Sequence, residues 1–253
     1  MRSIAVSRIP ILAMLLLAAA IASIPQPAAA QQPAIACAAP LTPDRLPDPE
    51  PREDPRARRR FDNIRAQVRA HAWRILFLGD SLTQRWEAAG ASSWQRYFAP
   101  LDALNAGVDG DRTEHLLWRL RNGQLDGQSP NIVVLLIGTN DLGHGRAPDF
   151  AAEGIRANLL ELRQRLPQAR ILLEGLWPRI DLPRLGQEVD QVNALIKTCD
   201  GGTISYADIG RALADPQGRV TREVEPDGLH LSAVGYERVS QRIRAHIDRI
   251  LRD

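Results

Sequence analysis

Ser81, His230 and Asp227 are residue types that together can turn a hydroxyl into a nucleophile. A serine hydroxyl attacks poorly near neutral pH, so a base must take its proton. His230 is the candidate base. Asp227, one turn earlier, can hold the imidazole in one tautomer and offset the charge it gains. Attack on an ester carbonyl also builds an oxyanion, which needs donors already in place; losing one typically costs roughly 3–4 kcal/mol. The backbone amides of Ser81 and Gly110 and the side-chain amide of Asn140 are the candidates. A glycine lets backbone approach a substrate closely, and an asparagine offers NH donors that do not depend on pH. The chemistry implied is acyl transfer through serine.

Each residue also has a plainer use. Ser81 or Asp80 can cap a helix. Asp227-Gly228 can shape a turn. Asn140 can cap the helix that follows it, Gly110 can be a turn glycine, and His230 an ordinary core or surface histidine. The plainer uses must all hold independently, whereas one hypothesis covers every position.

For these residues to meet, strand ends must gather them. Ile75–Leu78 is a large apolar run that ends in Gly79-Asp80-Ser81. Such a run, bounded by turn residues, suits a strand buried on both faces. Further strands are expected at 74–78, 103–106, 132–137, 170–176 and 203–206. Helices are expected at 56–71, 82–98, 113–122, 149–166, 185–198 and from about Ser232 to Leu251, with Ser232 as an N-cap. Strand and helix in alternation imply a parallel sheet with helices on both faces, an α/β fold of flavodoxin-like type. Every second junction then lies on the same edge, and the polar clusters at 80–81, 107–111, 138–141 and 226–230 fall at those junctions. The first strand–helix turn lacks both the Gly-x-Gly-x-x-Gly and the Walker lysine pattern, which disfavours a phosphate-binding nucleotide site.

The other histidines are weaker candidates. His115 reads as structural on the helix after Gly110. His144 lies in a glycine-rich loop, mobile or in reach of substrate. His71 and His246 fall on helices away from the clusters. Trp177 and Arg179 either line a pocket or pack.

The chain has 253 residues. Residues 1–30 read as a secretory signal: Arg2 and Arg8 ahead of an apolar run from Ile9 to Ile24, then Ala28-Ala29-Ala30. An uncleaved anchor is the alternative; Cys37 lies too far downstream for a lipoprotein. Residues 31–55, rich in proline and acids, read as an arm or linker, and 56–253 as a single domain. The chain is therefore expected to be exported, periplasmic or secreted, with no stable membrane span after processing. Without residues 1–30, which hold two arginines and no acid, the 32 basic and 30 acidic residues come into balance. That excludes the basic excess of a nucleic-acid partner. Cys37 and Cys199 are the only cysteines. In an exported chain they can form one disulfide or stay as two thiols, and neither has a zinc-ligand neighbour pattern.

Taken together, the pattern resembles the SGNH (GDSL-type) hydrolases. Ser81 in Gly79-Asp80-Ser81-Leu82, Gly110, Asn140 and His230 match the four residues that name the family, and Asp227 matches its triad acid. Within it, Phe77–Ser81, Ala103–Gly107 with Gly110-Asp111, His115–Leu120, Gly138–Asn140, Gly175–Arg179 and Leu229–Leu231 are similar to the catalytic subunits of intracellular platelet-activating-factor acetylhydrolase. The resemblance covers residues 60–250. It implies a three-layer α/β/α fold, ester hydrolysis and no metal or organic cofactor. Asp109 stands where those relatives have a glycine, and they are cytosolic. The expectation is an exported serine esterase for short-chain, acetyl-sized esters of a lipid or an acylated sugar. Acyl transfer, a non-catalytic glycan- or lipid-binding module and a structural envelope role are the alternatives, and a homodimer is one assembly left open.

Overall fold

The computed structural model describes Cys37, residues 47–182 and residues 185–252. The expected signal and most of the expected arm lie outside the described residues. Helix α1 spans Pro55–Ala70, capped by Asp54, whose carboxylate accepts the amides of Arg56 and Ala57. There follow β1 (Ile75–Gly79), α2 (Ser81–Gln84), α3 (Ala91–Tyr97), β2 (Ala103–Gly107), α4 (Thr113–Arg121) and β3 (Ile132–Leu136). The chain continues with α5 (Thr139–Gly143), α6 (Pro148–Arg165), β4 (Arg170–Glu174), α7 (Leu185–Lys197), β5 (Ile204–Ala207) and α8 (Ala233–Ile250).

The five strands form one parallel sheet in the order β2-β1-β3-β4-β5. Strands β1, β2 and β3 are buried along their whole length. This is what an unbroken apolar run requires when helices cover both faces. Helix α3 packs against α8, while α4 packs against α6 and α6 against α7. These are the two helical layers of a three-layer α/β/α fold, because β1 to β2 runs one way across the sheet and the later crossovers run the other. The order reverses between β1 and β3, the place where open α/β sheets bind ligands.

The helix expected over 82–98 is broken. After α2 comes one tight turn, Arg85–Glu87, and α3 begins only at Ala91. A Cβ at Gly90 would lie 2.5 Å from Trp86 Cδ1 and 2.8 Å from Tyr236 Cγ, so the chain bends where the Trp86 ring enters the core. Trp86 sits among Phe77, Phe98, Trp177 and Tyr236, with ring centroids 5.2–6.1 Å apart. Its Nε1–H donates to Ser240 Oγ (3.1 Å), and the Tyr236 hydroxyl donates to the Leu82 carbonyl (2.8 Å). Both bonds join the segment after Ser81 to α8. Helix α5 has no counterpart among the expected helices. Five residues are too few to show a helical period.

Cys37 is bonded to Cys199, just beyond α7, across 162 residues of sequence. Among the described residues no helix is long and apolar enough to cross a membrane.

Gly79 ends β1 between Gly107 of β2 and Leu136 of β3. A Cβ there would lie 2.3 Å from the Leu136 carbonyl oxygen and 2.2 Å from Thr83 Oγ1. Backbone cannot yield as a side-chain tip can. Gly79→Ala is therefore expected to cost about 1–3 kcal/mol of stability, as overpacking does. Urea unfolding measures this, and an unshifted midpoint would refute the close approach.

Candidate active site

Ser81 opens α2 directly after β1. Asp80 is its N-cap: the backbone there is non-helical (φ −105°, ψ −145°), and Oδ1 accepts the Leu82 amide at 2.9 Å. The plainer use of this stretch thus belongs to Asp80, and the Ser81 hydroxyl is left for another partner. That partner is His230, whose Nε2 lies 3.0 Å from Ser81 Oγ although 149 residues separate them. On the other side of the ring, Nδ1 lies 2.7 Å from Asp227 Oδ2. A carboxylate accepts, so Nδ1 carries the proton and Nε2 is the lone pair facing the serine O–H.

Asp227 has a second task. Its Oδ1 accepts the amides of Leu229 (3.0 Å) and His230 (2.7 Å). Partial burial pushes its carboxyl upward, but these amides and the imidazole hold it well below the usual carboxylate range. The Asp227-Gly228 turn and the carboxylate–imidazole contact are therefore one structure. Gly228 has φ +89°, and its carbonyl accepts the amides of Ile180 (2.7 Å) and Asp181 (3.0 Å). This anchors the His230 loop to the segment after β4.

The oxyanion candidates come from the neighbouring strand ends. Gly110, at φ +75°, follows β2 in a conformation that favours glycine. Asn140 lies in the first turn of α5, after β3. Its Nδ2 donates to the Asp111 carbonyl at 2.9 Å, which fixes the side chain and leaves its other N–H uncommitted. No acceptor is found among the described residues for the amides of Ser81 and Gly110. Ser81, His230 and Asp227 thus form one hydrogen-bonded line, while Asn140, joined to the Asp111 carbonyl, follows the neighbouring strand end of β3, and Gly110 lies one residue from the carbonyl that holds Asn140.

Beneath them lies a layer of buried charge with no local sequence pattern. Arg119, on α4, donates to Asp111 Oδ2 (2.7 Å) and to the carbonyls of Ala106 (3.2 Å) and Gly79 (3.3 Å), so it ties β1 and β2 to the Gly110 loop. Asp141 accepts the amide (3.0 Å) and hydroxyl (2.8 Å) of Thr113, fastening α5 to α4. Burial pushes Asp141 to about 6 and Asp80 to about 8. Arg179 is buried, pairs with both oxygens of Asp181 and donates to the Thr139 carbonyl at 3.1 Å. Of the two uses open to Trp177 and Arg179, both residues pack. The available signal for Arg119 was a lone guanidinium in Leu116-Leu117-Trp118-Arg119-Leu120.

None of the other histidines among the described residues touches Ser81. His144 donates Nδ1–H to the Asn140 carbonyl (2.7 Å) and ends α5, so its segment is the end of a helical turn. His71 meets Asp102 at 2.8 Å at the amino ends of β1 and β2, the opposite edge of the sheet from the clusters. His115 Nδ1 accepts the Arg112 amide at 3.0 Å, and burial drives its pKa down to about 4. Glu50, Glu114 and His115 bring ligand atoms within 4.8 Å of one another. Arg112 and Arg146 already occupy the two oxygens of Glu114, at 2.6 and 2.7 Å. The trio is an ion-pair network ill suited to a cation.

Residues 77–238 match the model of the GDSL-like lipase/acylhydrolase family. Platelet-activating factor acetylhydrolase IB subunit alpha1 of Homo sapiens is 36% identical over 180 residues, 70% of this chain and 76% of that protein. Subunit alpha2 of Rattus norvegicus is 34% identical over 182 residues, 71% of this chain and 78% of that protein. A GDSL-like lipase of Bacteroides thetaiotaomicron superposes with a TM-score of 0.63 at 18% identity, over 75% of this chain and 97% of its own. The chain belongs to the GDSL-like lipase/acylhydrolase family and is a carboxylic ester hydrolase.

Glu174, the last residue of β4, is buried, accepts Trp177 Nε1–H at 2.9 Å, and is pushed to about 8 by burial. An unfolded glutamate titrates near its ordinary 4.5. Between these values the folded chain holds a proton that the unfolded chain releases, so stability falls as pH rises through the window. Glu174→Gln keeps an acceptor and removes the titration. Its urea midpoint should exceed the wild type's most at pH 8, with the gain shrinking toward pH 5. A difference constant across that range would show Glu174 ionised in the fold.

Proposed function

We propose that the protein is an exported esterase that removes short, acetyl-sized acyl groups through an acyl-enzyme on Ser81. One observation carries the reading: the unbroken line from Ser81 Oγ to His230 Nε2 (3.0 Å) and from His230 Nδ1 to Asp227 (2.7 Å). The names of the acetylhydrolase relatives support the acetyl group. Arg2, Arg8 and the apolar run after them support export to the periplasm or medium.

In this reading His230 takes the Ser81 proton as Oγ attacks the ester carbonyl. The charge passes to the carbonyl oxygen, where the amides of Ser81 and Gly110 and the side chain of Asn140 receive it. Collapse of the tetrahedral intermediate breaks the ester C–O bond, and imidazolium His230 returns the proton to the leaving alcohol. Water, deprotonated by the same Nε2, then clears the acyl group and restores the Ser81 hydroxyl. Asp227 stabilises the imidazolium in both halves. Because its carboxyl lies well below the usual range, it stays ionised as the medium becomes acidic.

The test is turnover of 4-nitrophenyl acetate, butyrate and octanoate. Ser81→Ala and His230→Ala should each lower kcat by roughly 10⁴-fold or more. Asp227→Asn, which favours the wrong tautomer, should cost about 10⁴-fold. Asn140→Ala, losing one oxyanion donor, should cost about 10²–10³-fold. Turnover that survives Ser81→Ala removes the nucleophile assignment, and octanoate turned over faster than acetate removes the short-chain assignment.

A further inference from the structure

Residues 47–54 run against the catalytic body ahead of α1. Glu50 N–H donates to the Glu114 carbonyl at 3.3 Å, and Arg58 Nε–H to the Arg52 carbonyl at 3.1 Å. This fixes the backbone from which Arg52 reaches across the Gly110 loop. Arg52 Nη1 donates to the Asp109 carbonyl at 3.0 Å and lies 3.5 Å from Asp111 Oδ1, while Nη2 meets Asp54 at 3.2 Å. The guanidinium is so close that a Cβ on Gly110 would lie 2.9 Å from Nη1.

Asp111 is the residue through which this contact matters. Its side chain is fully buried. Arg119 holds Oδ2, but Oδ1 has no hydrogen-bond partner among the described residues. Its carbonyl holds Asn140, and its amide is bonded to Val108 at 3.1 Å, closing the turn that contains Gly110. A buried carboxylate with one oxygen uncompensated is costly. Arg52 supplies the positive charge facing that oxygen, and from a different element than Arg119.

We propose that Arg52, brought to the site by the N-terminal segment, is a positioning residue for the oxyanion donors Gly110 and Asn140. This rests on the functional reading above. Arg52 fixes the Asp109 carbonyl directly. Through Asp111 it stabilises the carbonyl that orients Asn140. A segment that reads in sequence as a linker is thereby part of the catalytic apparatus.

The charge balance gives the role a pH signature. Burial pushes Asp111 up, and Glu114 pushes the same way; Arg119 and Arg52 pull down. Asp80 shares the buried layer with Asp111, whose charge adds to the burial that pushes Asp80 up. Without Arg52, Asp111 takes up its proton at a higher pH. Its pairing with Arg119 then weakens as pH falls, and the donors lose their support.

The experiment compares Arg52→Met, Arg52→Lys and Arg56→Met with wild type on 4-nitrophenyl acetate from pH 5 to pH 9, with thermal melting alongside. Arg56 lines the same cavity of about 290 Å³ beside Gly110 and stands by Asp54, but among the described residues no hydrogen bond or ion pair joins its side chain to Asp109, Gly110 or Asp111. Arg52→Met should lower kcat about 10- to 100-fold, the scale of a small misplacement of catalytic groups. Its KM should stay close to wild type, and the acid limb of kcat should move to higher pH. Arg52→Lys should restore the acid limb but only part of kcat, since an ammonium supplies the charge without the fork. Arg56→Met should behave as wild type. The proposal is overturned if Arg52→Met keeps wild-type kcat at every pH, or if only KM changes, which would make Arg52 a substrate contact. Should Arg52→Met fail to fold, Arg52→Lys decides: unchanged kcat overturns the proposal, and reduced kcat with unchanged KM and melting temperature supports it. Ser81→Ala run in parallel separates the failures. If it retains turnover the serine reading falls, whereas an inactive Ser81→Ala beside a wild-type-like Arg52→Met sinks only the role of Arg52.

Discussion

The Tyr236 hydroxyl bonded to the carbonyl of Leu82 is the interaction on which the geometry turns. Ser81 begins the helix after β1, and His230 precedes the last helix. Nothing local relates them. The bond joins the residue after Ser81 to the first turn of α8, and Trp86 adds a second bond to Ser240 one turn later. Both donors are buried among aromatic rings, so they have no water to fall back on and the bonds are costly to leave unmade. The distance between Nε2 and Oγ is therefore set by a buried clamp rather than by the loop that carries His230.

A second constraint is electrostatic. Asp80, Asp111, Asp141 and Glu114 crowd the carboxyl edge of the sheet, and all four are buried. Arg119 and Arg52 face Asp111, and Arg112 and Arg146 face Glu114. Asp80 and Asp141 lie where burial dominates, and their pKa values rise. These buried acids do not compete with Asp227, which sits at the surface end of the site with amide donors around it. The base of the site is built from charges that hold loops in place, and its rim from groups free to exchange protons.

Much of the sheet was legible because parallel strands buried on both faces must be apolar throughout, and Ile132–Leu136 or Ile75–Leu78 has few other uses. The break between Gln84 and Ala91 was not legible: it depends on where Trp86 packs, and the local pattern from 82 to 98 is compatible with one helix. The candidate site residues stood out since serine, histidine, asparagine and glycine fell at alternate junctions of an alternating fold. Their supports did not stand out. Arg119, Arg179 and Arg52 act on partners in other elements, and an arginine contacting a backbone carbonyl far along the chain leaves no spacing to read. Residues 47–54 show the limit most clearly, because proline and acid content describes a linker equally well whether it hangs free or is held by a backbone bond at Glu50 and by the guanidinium groups of Arg52 and Arg58.

The bond between Cys37 and Cys199 closes a covalent ring that contains Ser81, Gly110 and Asn140 but leaves Asp227 and His230 on an open tail. A protease that nicks a loop inside the ring leaves one covalently joined molecule. A cut between Cys199 and Asp227 frees a fragment bearing the imidazole, held thereafter without a covalent link, by the packing of α8 and by the hydrogen bonds of Tyr236, Ser240 and Gly228. The two halves of the proposed catalytic group thus differ in how damage reaches them, and the tail holding the imidazole is the half that proteolysis can carry away.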